Sequence, residues 1–161
     1  MAHPSAIALL AATLLALPAA AQQKYTGAPP PKKNVPYLVQ ADNLIETEVQ
    51  KAAEQKKKDD TIYTIPGDKS TARTPLASPM LVIDADGLDA TKLQLFHLEV
   101  KNGHREITFK KKGKGGAMPL NIEVAKVRGT LFQIRVLDGL DPGEYSLSPD
   151  GSNDAFCFEV F

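Results

Sequence analysis

Three aspartates fall within six residues in Asp84-Ala85-Asp86-Gly87-Leu88-Asp89, and carboxylates crowded around a glycine turn are the donor set a hard cation takes. Asp84, Asp86 and Asp89 are therefore the candidate metal ligands, and calcium is the ion they would bind. An EF-hand loop needs a longer ladder of ligands and a distal Glu, neither of which is in register here, and Asp and Gly also occupy turns for purely local reasons. Asp150-Gly151-Ser152-Asn153-Asp154 is a second acidic, turn-rich loop of the same kind.

Catalytic chemistry is harder to assemble. The sequence holds no Gly-x-Ser-x-Gly elbow, His-Glu-x-x-His helix, Cys-x-x-Cys pair or phosphate-cradling glycine loop. His97 and His104 share one hairpin, but alternation of side chains gives them no reason to converge and no third ligand follows from the sequence. Cys157 is the single cysteine, so it forms no intramolecular disulfide, and Phe156 and Phe158 on either side mark it as a small buried hydrophobe rather than a nucleophile. A hydrolase assembled from distant loops stays as an alternative to a non-enzymatic module.

Charge narrows the partners. With 19 basic and 19 acidic residues the chain has no global field to steer a polyanion, so nucleic acid is not expected. Two local runs depart from this balance. Lys56-Lys57-Lys58 is followed at once by Asp59-Asp60, and Lys110-Lys111-Lys112-Gly113-Lys114-Gly115-Gly116 is a basic loop that could meet phosphate, lipopolysaccharide or an acidic partner but carries no interleaved aromatics for stacking on bases. Each reads first as a solvated surface.

The elements that must position these groups are mostly strands. Asn102-Gly103 is the strongest hairpin signal in the chain, since both residues tolerate the positive φ of a type I′ turn. It sets Lys101 opposite His104, Leu98 opposite Ile107 and Phe96 opposite Phe109, so one face collects four large apolar side chains that another layer must cover. Leu120–Val124 and Phe132–Val136 alternate as well. A three-residue loop Val127-Arg128-Gly129, with Gly129 in the left-handed position, would pair Val124 with Phe132, Ile122 with Ile134 and Leu120 with Val136. Thr61–Ile65 reads as a strand closed by Pro66-Gly67, and Met80–Ile83 as one covered on both faces.

The N-terminal third differs in character. Ala6 to Leu17 is an apolar run too short to span a bilayer, and Leu17-Pro18-Ala19-Ala20-Ala21 ends it as a signal-peptidase site would, so 1–21 is expected to be a cleaved signal peptide. The mature chain is then exported, periplasmic or extracellular, without a transmembrane segment. Residues 22–36, with Pro29-Pro30-Pro31, read as a flexible arm. Within 37–60 a short strand at Tyr37-Leu38-Val39 precedes a charged helix, because Asn43 and Glu46 form a capping box, Ile45, Val49 and Ala52 recur at helical spacing and Lys56–Lys58 suit a helix C-terminus.

Leu140-Asp141-Pro142-Gly143-Glu144-Tyr145 places a tyrosine where a turn enters an alternating strand. This resembles the tyrosine corner of immunoglobulin-like and fibronectin-type-III-like domains, in which the phenol bonds upstream backbone; Tyr145, Asn102, Gly103 and Gly129 are then structural. The resemblance implies a Greek-key antiparallel β-sandwich of about seven strands over 61–161, with the short helix outside it, and it brings no active site. The expected function is a non-enzymatic module that binds another protein or an envelope component. A calcium- or carbohydrate-binding module is the alternative.

Overall fold

The computed structural model describes residues 24–112 and 114–161, and the expected signal peptide lies outside them. The chain is mainly β. In order, the strands are β1 (Tyr37–Gln40), β2 (Asn43–Glu46), β3 (Glu48–Lys51), β4 (Ala53–Lys57), β5 (Asp60–Pro66), β6 (Arg73–Thr74) and β7 (Met80–Asp84). After a single 3-10 turn at Ala90–Lys92 come β8 (Leu93–Lys101), β9 (His104–Lys110), β10 (Ile122–Arg128), β11 (Leu131–Val136), β12 (Gly143–Pro149) and β13 (Asp154–Val160). Among the described residues no helix is long and apolar enough to cross a membrane.

Five strands form one antiparallel sheet in the order β10-β11-β7-β1-β2. The second sheet runs β3-β13-β12-β8-β9-β5-β4, with the two-residue β6 added in parallel to β13. The two ends of that order, β3 and β4, are consecutive in the chain and separated only by Ala52. The first half of this stretch pairs with β13, as Lys51 with Asp154, and the second half with β5, as Ala53 with Thr64. The sheet therefore closes on itself as a ring. β8 is its other long member, bonded to β12 through its first six residues and to β9 through its last three.

This closure corrects the expected helix over 43–58, which is three strands instead. Helix propensity favours such a segment by at most a few tenths of a kcal/mol per residue. A helix there would leave the edges of β13 and β5 with unpaired backbone groups. The period-two set Glu48, Gln50, Ala52 and Glu54 is what the ring uses. Strands in place of the helix also help explain why thirteen are present and not about seven.

The hairpin turns behave as their residues require. Asn102 and Gly103 have φ of 50° and 80°, and Lys101 pairs with His104 across them. In the second hairpin Gly129 is left-handed at 49°, but Ile122 pairs with Val136 and Val124 with Ile134, two residues away from the expected register. A bulge between Lys126 and Arg128 absorbs Val127 and leaves a tighter Gly129-Thr130 turn. A shift of two keeps every side chain on its face, so Ile122, Val124, Phe132, Ile134 and Val136 still point one way.

They point at the outside of the ring. Leu38, Leu81, Ile83, Ile134 and Val136 of the five-stranded sheet share one core with Leu93, Leu95, Tyr145, Leu147, Phe156, Phe158 and Val160 of the ring. Leu81, Val82 and Ile83 are fully buried, because Val82 faces outward against Tyr37 and Leu131 beneath Tyr25 and Val35. From residues 24–36, Tyr25 and Val35 pack on this face; Tyr25 N donates to Gln133 Oε1 at 2.7 Å, and Lys33 Nζ meets Asp86 Oδ2 at 2.6 Å. The second hairpin lies on the outer side of the ring and does not cover the Phe96–Leu98–Ile107–Phe109 face. β8 is apolar on both sides, and that face turns into the ring.

Candidate functional site

The ring interior is lined by alternate residues of its strands. Ala52, Ile65, Leu98, Ala155 and Cys157 form a small buried cluster, with Tyr63 and Ile107 packed against it. One end stays open as a cavity of about 540 Å³, walled by Tyr63, Phe96, Ile107 and Phe109 and bordered by the polar Gln94, Ser146, Ser148 and Lys56. Phe109 sits edge-on to Phe96 at 5.4 Å and to Tyr63 at 5.8 Å between ring centroids, near-perpendicular in both cases. Such edge-to-face contacts hold aromatic walls in fixed positions. The cavity falls within the size range of small-molecule sites, with Tyr63, Phe96, Ile107 and Phe109 on its apolar side and the charged Glu54, Lys56, Asp150 and Asp154 also in its lining.

The opposite end is plugged by charge. Arg105 is wholly buried. Its Nη2 donates to Glu48 Oε1 at 2.7 Å and to the Pro66 carbonyl at 2.8 Å, its Nε to the Gly67 carbonyl at 3.1 Å and its Nη1 to Ser70 Oγ at 2.6 Å. Ser70 in turn donates through its hydroxyl and its backbone N–H to Glu144 Oε2, which lies 3.5 Å from Arg105. Burial alone would raise the Glu48 carboxyl, but hydrogen bonds from Arg105, the Thr71 N–H and Gln50 reverse this and leave its pKa below the ordinary value. Alternation along β9 puts Arg105 on the same face as Ile107 and Phe109, so its inward direction is a signal the hairpin already contained.

Cys157 lies between plug and cavity, fully buried and beside Ser146 on the neighbouring strand. Burial pushes its thiol up to about 12, against a smaller opposing pull from Arg105, so at neutral pH it is a protonated packing group.

The three candidate calcium ligands are each engaged by a different partner. Asp84 accepts from Thr130 Oγ1, Asp86 pairs with Lys33, and Asp89 caps the 3-10 turn by accepting from Thr91 N at 3.1 Å. Among the described residues no group of three His, Cys, Asp or Glu side chains is placed to hold a metal. The histidines are likewise apart in their contacts: His97 is exposed against the Tyr145 ring, and His104 Nε2 lies 3.1 Å from Glu106. The Tyr145 hydroxyl donates to the Asp141 carbonyl, four residues upstream, at 2.8 Å.

No protein-family model, curated protein or solved structure matches this chain.

Proposed function

We propose that this protein is an exported, non-enzymatic binding module that takes the apolar part of an envelope component into the open end of the ring. The observation that carries the reading is the cavity itself, in which Tyr63, Phe96, Ile107 and Phe109 line about 540 Å³ above a closed floor. Transfer of apolar surface from water into such a site is favourable in proportion to the area covered. The protonated state of Cys157 supports a lumen that packs and does not attack. Export rests on the sequence of residues 1–21 alone. The Tyr145 corner and the core shared by the two sheets support an immunoglobulin-like sandwich as a reading of the architecture, without adding a ligand.

The test is titration with the uncharged fluorophore N-phenyl-1-naphthylamine. Saturable binding near one per chain is expected, weakened in Ile107→Trp, whose indole intrudes between the aromatic walls, provided its circular dichroism matches the parent. Absence of saturable binding to the parent protein refutes the reading.

A further inference from the structure

Alternation fixes which side chains face the lumen at its open end. Lys56 pairs with Thr61 and Thr61 with Phe109, so these three share the inner face, whereas Lys57, Asp60 and Lys110 form the next rung of the same ladders and point away. Two rungs deeper Glu54 pairs with Tyr63 and Tyr63 with Ile107, again on the inner face. On the other wall Gln94 pairs with Ser148 and Phe96 with Ser146, and Asn153 lies two residues before the inward Ala155. All of these except the outward rung line the cavity. The opening therefore has an apolar throat of Tyr63, Phe96, Ile107 and Phe109 below a rim that carries the Gln94 and Asn153 amides.

Most of the charge in the lining is already engaged. Lys56 Nζ lies 3.7 Å from Glu54 Oε1, and the other oxygen of Glu54 accepts from the Tyr63 hydroxyl at 3.3 Å. Asp154 is paired with Lys51 at 2.9 Å and accepts from the Ser152 hydroxyl at 2.9 Å. Among the described residues Asp150 is the one carboxylate of the lining without an ion pair. The amides are in a different state: both residues are half-buried, and among the described residues neither the Gln94 nor the Asn153 side chain has a hydrogen-bond partner. Each carries two N–H donors and a carbonyl acceptor. The rim thus offers more free donors and acceptors than free charge, and the one free charge is negative.

We propose that the occupant of the cavity is an uncharged glycoside, an amphiphile whose apolar body enters between Phe96, Ile107 and Phe109 and whose sugar hydroxyls bond the Gln94 and Asn153 amides and the Asp150 carboxylate at the rim. The assignment rests on the lumen reading above and adds its head. A hydroxyl both donates and accepts, so it uses both ends of an amide and can also donate to Asp150. A phosphate or carboxylate head accepts only, leaves the amide carbonyls without a donor and meets Asp150 and Glu54 with like charge. A quaternary ammonium head has neither donor nor acceptor, and it covers both amides without pairing them, which costs free energy.

Calorimetry with decyl maltoside, decyl phosphate and decyltrimethylammonium, each below its micellar concentration, tests this, with maltose as the tail-free control. Decyl maltoside should bind about tenfold or more tightly than either charged compound, a preference of roughly 1.4 kcal/mol. That preference should fall to about threefold or less in Gln94→Ala/Asn153→Ala, with Gln94→Ala alone intermediate, while both variants keep the parent circular dichroism and still bind N-phenyl-1-naphthylamine. Equal binding of all three decyl compounds, tighter binding of either charged one, an unchanged preference in the double variant, or fluorophore binding with no decyl compound bound overturns the head assignment and leaves the lumen reading standing. Maltose binding as tightly as decyl maltoside overturns the amphiphile, because the rim would then act without the throat. No binding of any decyl compound or of the fluorophore overturns both.

Discussion

Replacing Arg105 by methionine tests what the buried charge does for the fold. Met fills much of the same space, so the loss is electrostatic and not a cavity. It removes the guanidinium from Glu48, whose side chain is 11% exposed, and from Glu144, whose side chain is 4% exposed, and strips the donors from the Pro66 and Gly67 carbonyls. Breaking a buried ion pair from one side costs about 3–5 kcal/mol, because the remaining carboxylate is left uncompensated. Against a total stability of roughly 5–15 kcal/mol this is a large fraction. With a urea dependence of about 2 kcal/mol/M, the midpoint should fall by about 2 M at pH 7.

The pH dependence gives a second readout. The folded Glu48 pKa lies below its ordinary 4.5, so its contribution is complete above that value and is lost as pH falls through the folded pKa. In Arg105→Met the lowering bond is gone and burial favours the protonated acid, so acidification relieves the variant while it weakens the parent. The gap between their midpoints should narrow below about pH 4.5. Arg105→Met/Glu48→Leu/Glu144→Leu should recover most of the loss, since a buried ion cluster replaced as a unit is often neutral. A single-variant cost under about 1 kcal/mol, or a triple variant as unstable as the single, refutes this account of the plug.

Cys157 should resist a thiol reagent at pH 8 in the native protein and react fully in denaturant, as a buried thiol pushed up to about 12 demands; native labelling within minutes contradicts it. Tyr145→Phe deletes the hydrogen bond to Asp141 and should cost about 0.5–1.5 kcal/mol in chemical denaturation with the strand pairing intact. Gly103→Ala forces a side chain to φ of 80° and should lower the melting temperature, whereas Gly139→Ala, at a position with open space around it and no positive φ, should leave it nearly unchanged.

The local turns and the faces of individual strands were legible in the sequence because both depend on neighbours. Asn102-Gly103 dictates its own turn, and period-two alternation survives even the two-residue slip of the second hairpin, since the bulge at Val127 changes register without changing face. The runs at 37–57 were not legible in the same way. Read alone these residues favour a helix; what makes Glu48–Lys51 a strand is the partner edge of β13, about one hundred residues away, as in Lys51 with Asp154, while Ala53–Lys57 continue the same line as the hairpin partner of β5. Propensity is local and ring closure is not, so the tertiary demand prevails. The candidate site was hidden for the same reason: Lys56 and Phe109 are far apart in sequence, and only the ladders through Thr61 place them beside one cavity.

The different fates of the two ends follow from side-chain size at successive levels of the ring. At the level of Arg105 the interior receives a long guanidinium with Glu48, Ser70 and Glu144 around it, and their mutual hydrogen bonds satisfy groups that would be costly to bury singly. Toward the open end Ser146, Ala155 and Ala52 are small inward residues that line the cavity. Tyr63, Phe96 and Phe109 cannot collapse into that gap, because each is held edge-on by another from the adjoining side. Small residues on one wall and braced aromatics on the other thus keep the upper level hollow, while the plug below fixes the strands that carry both.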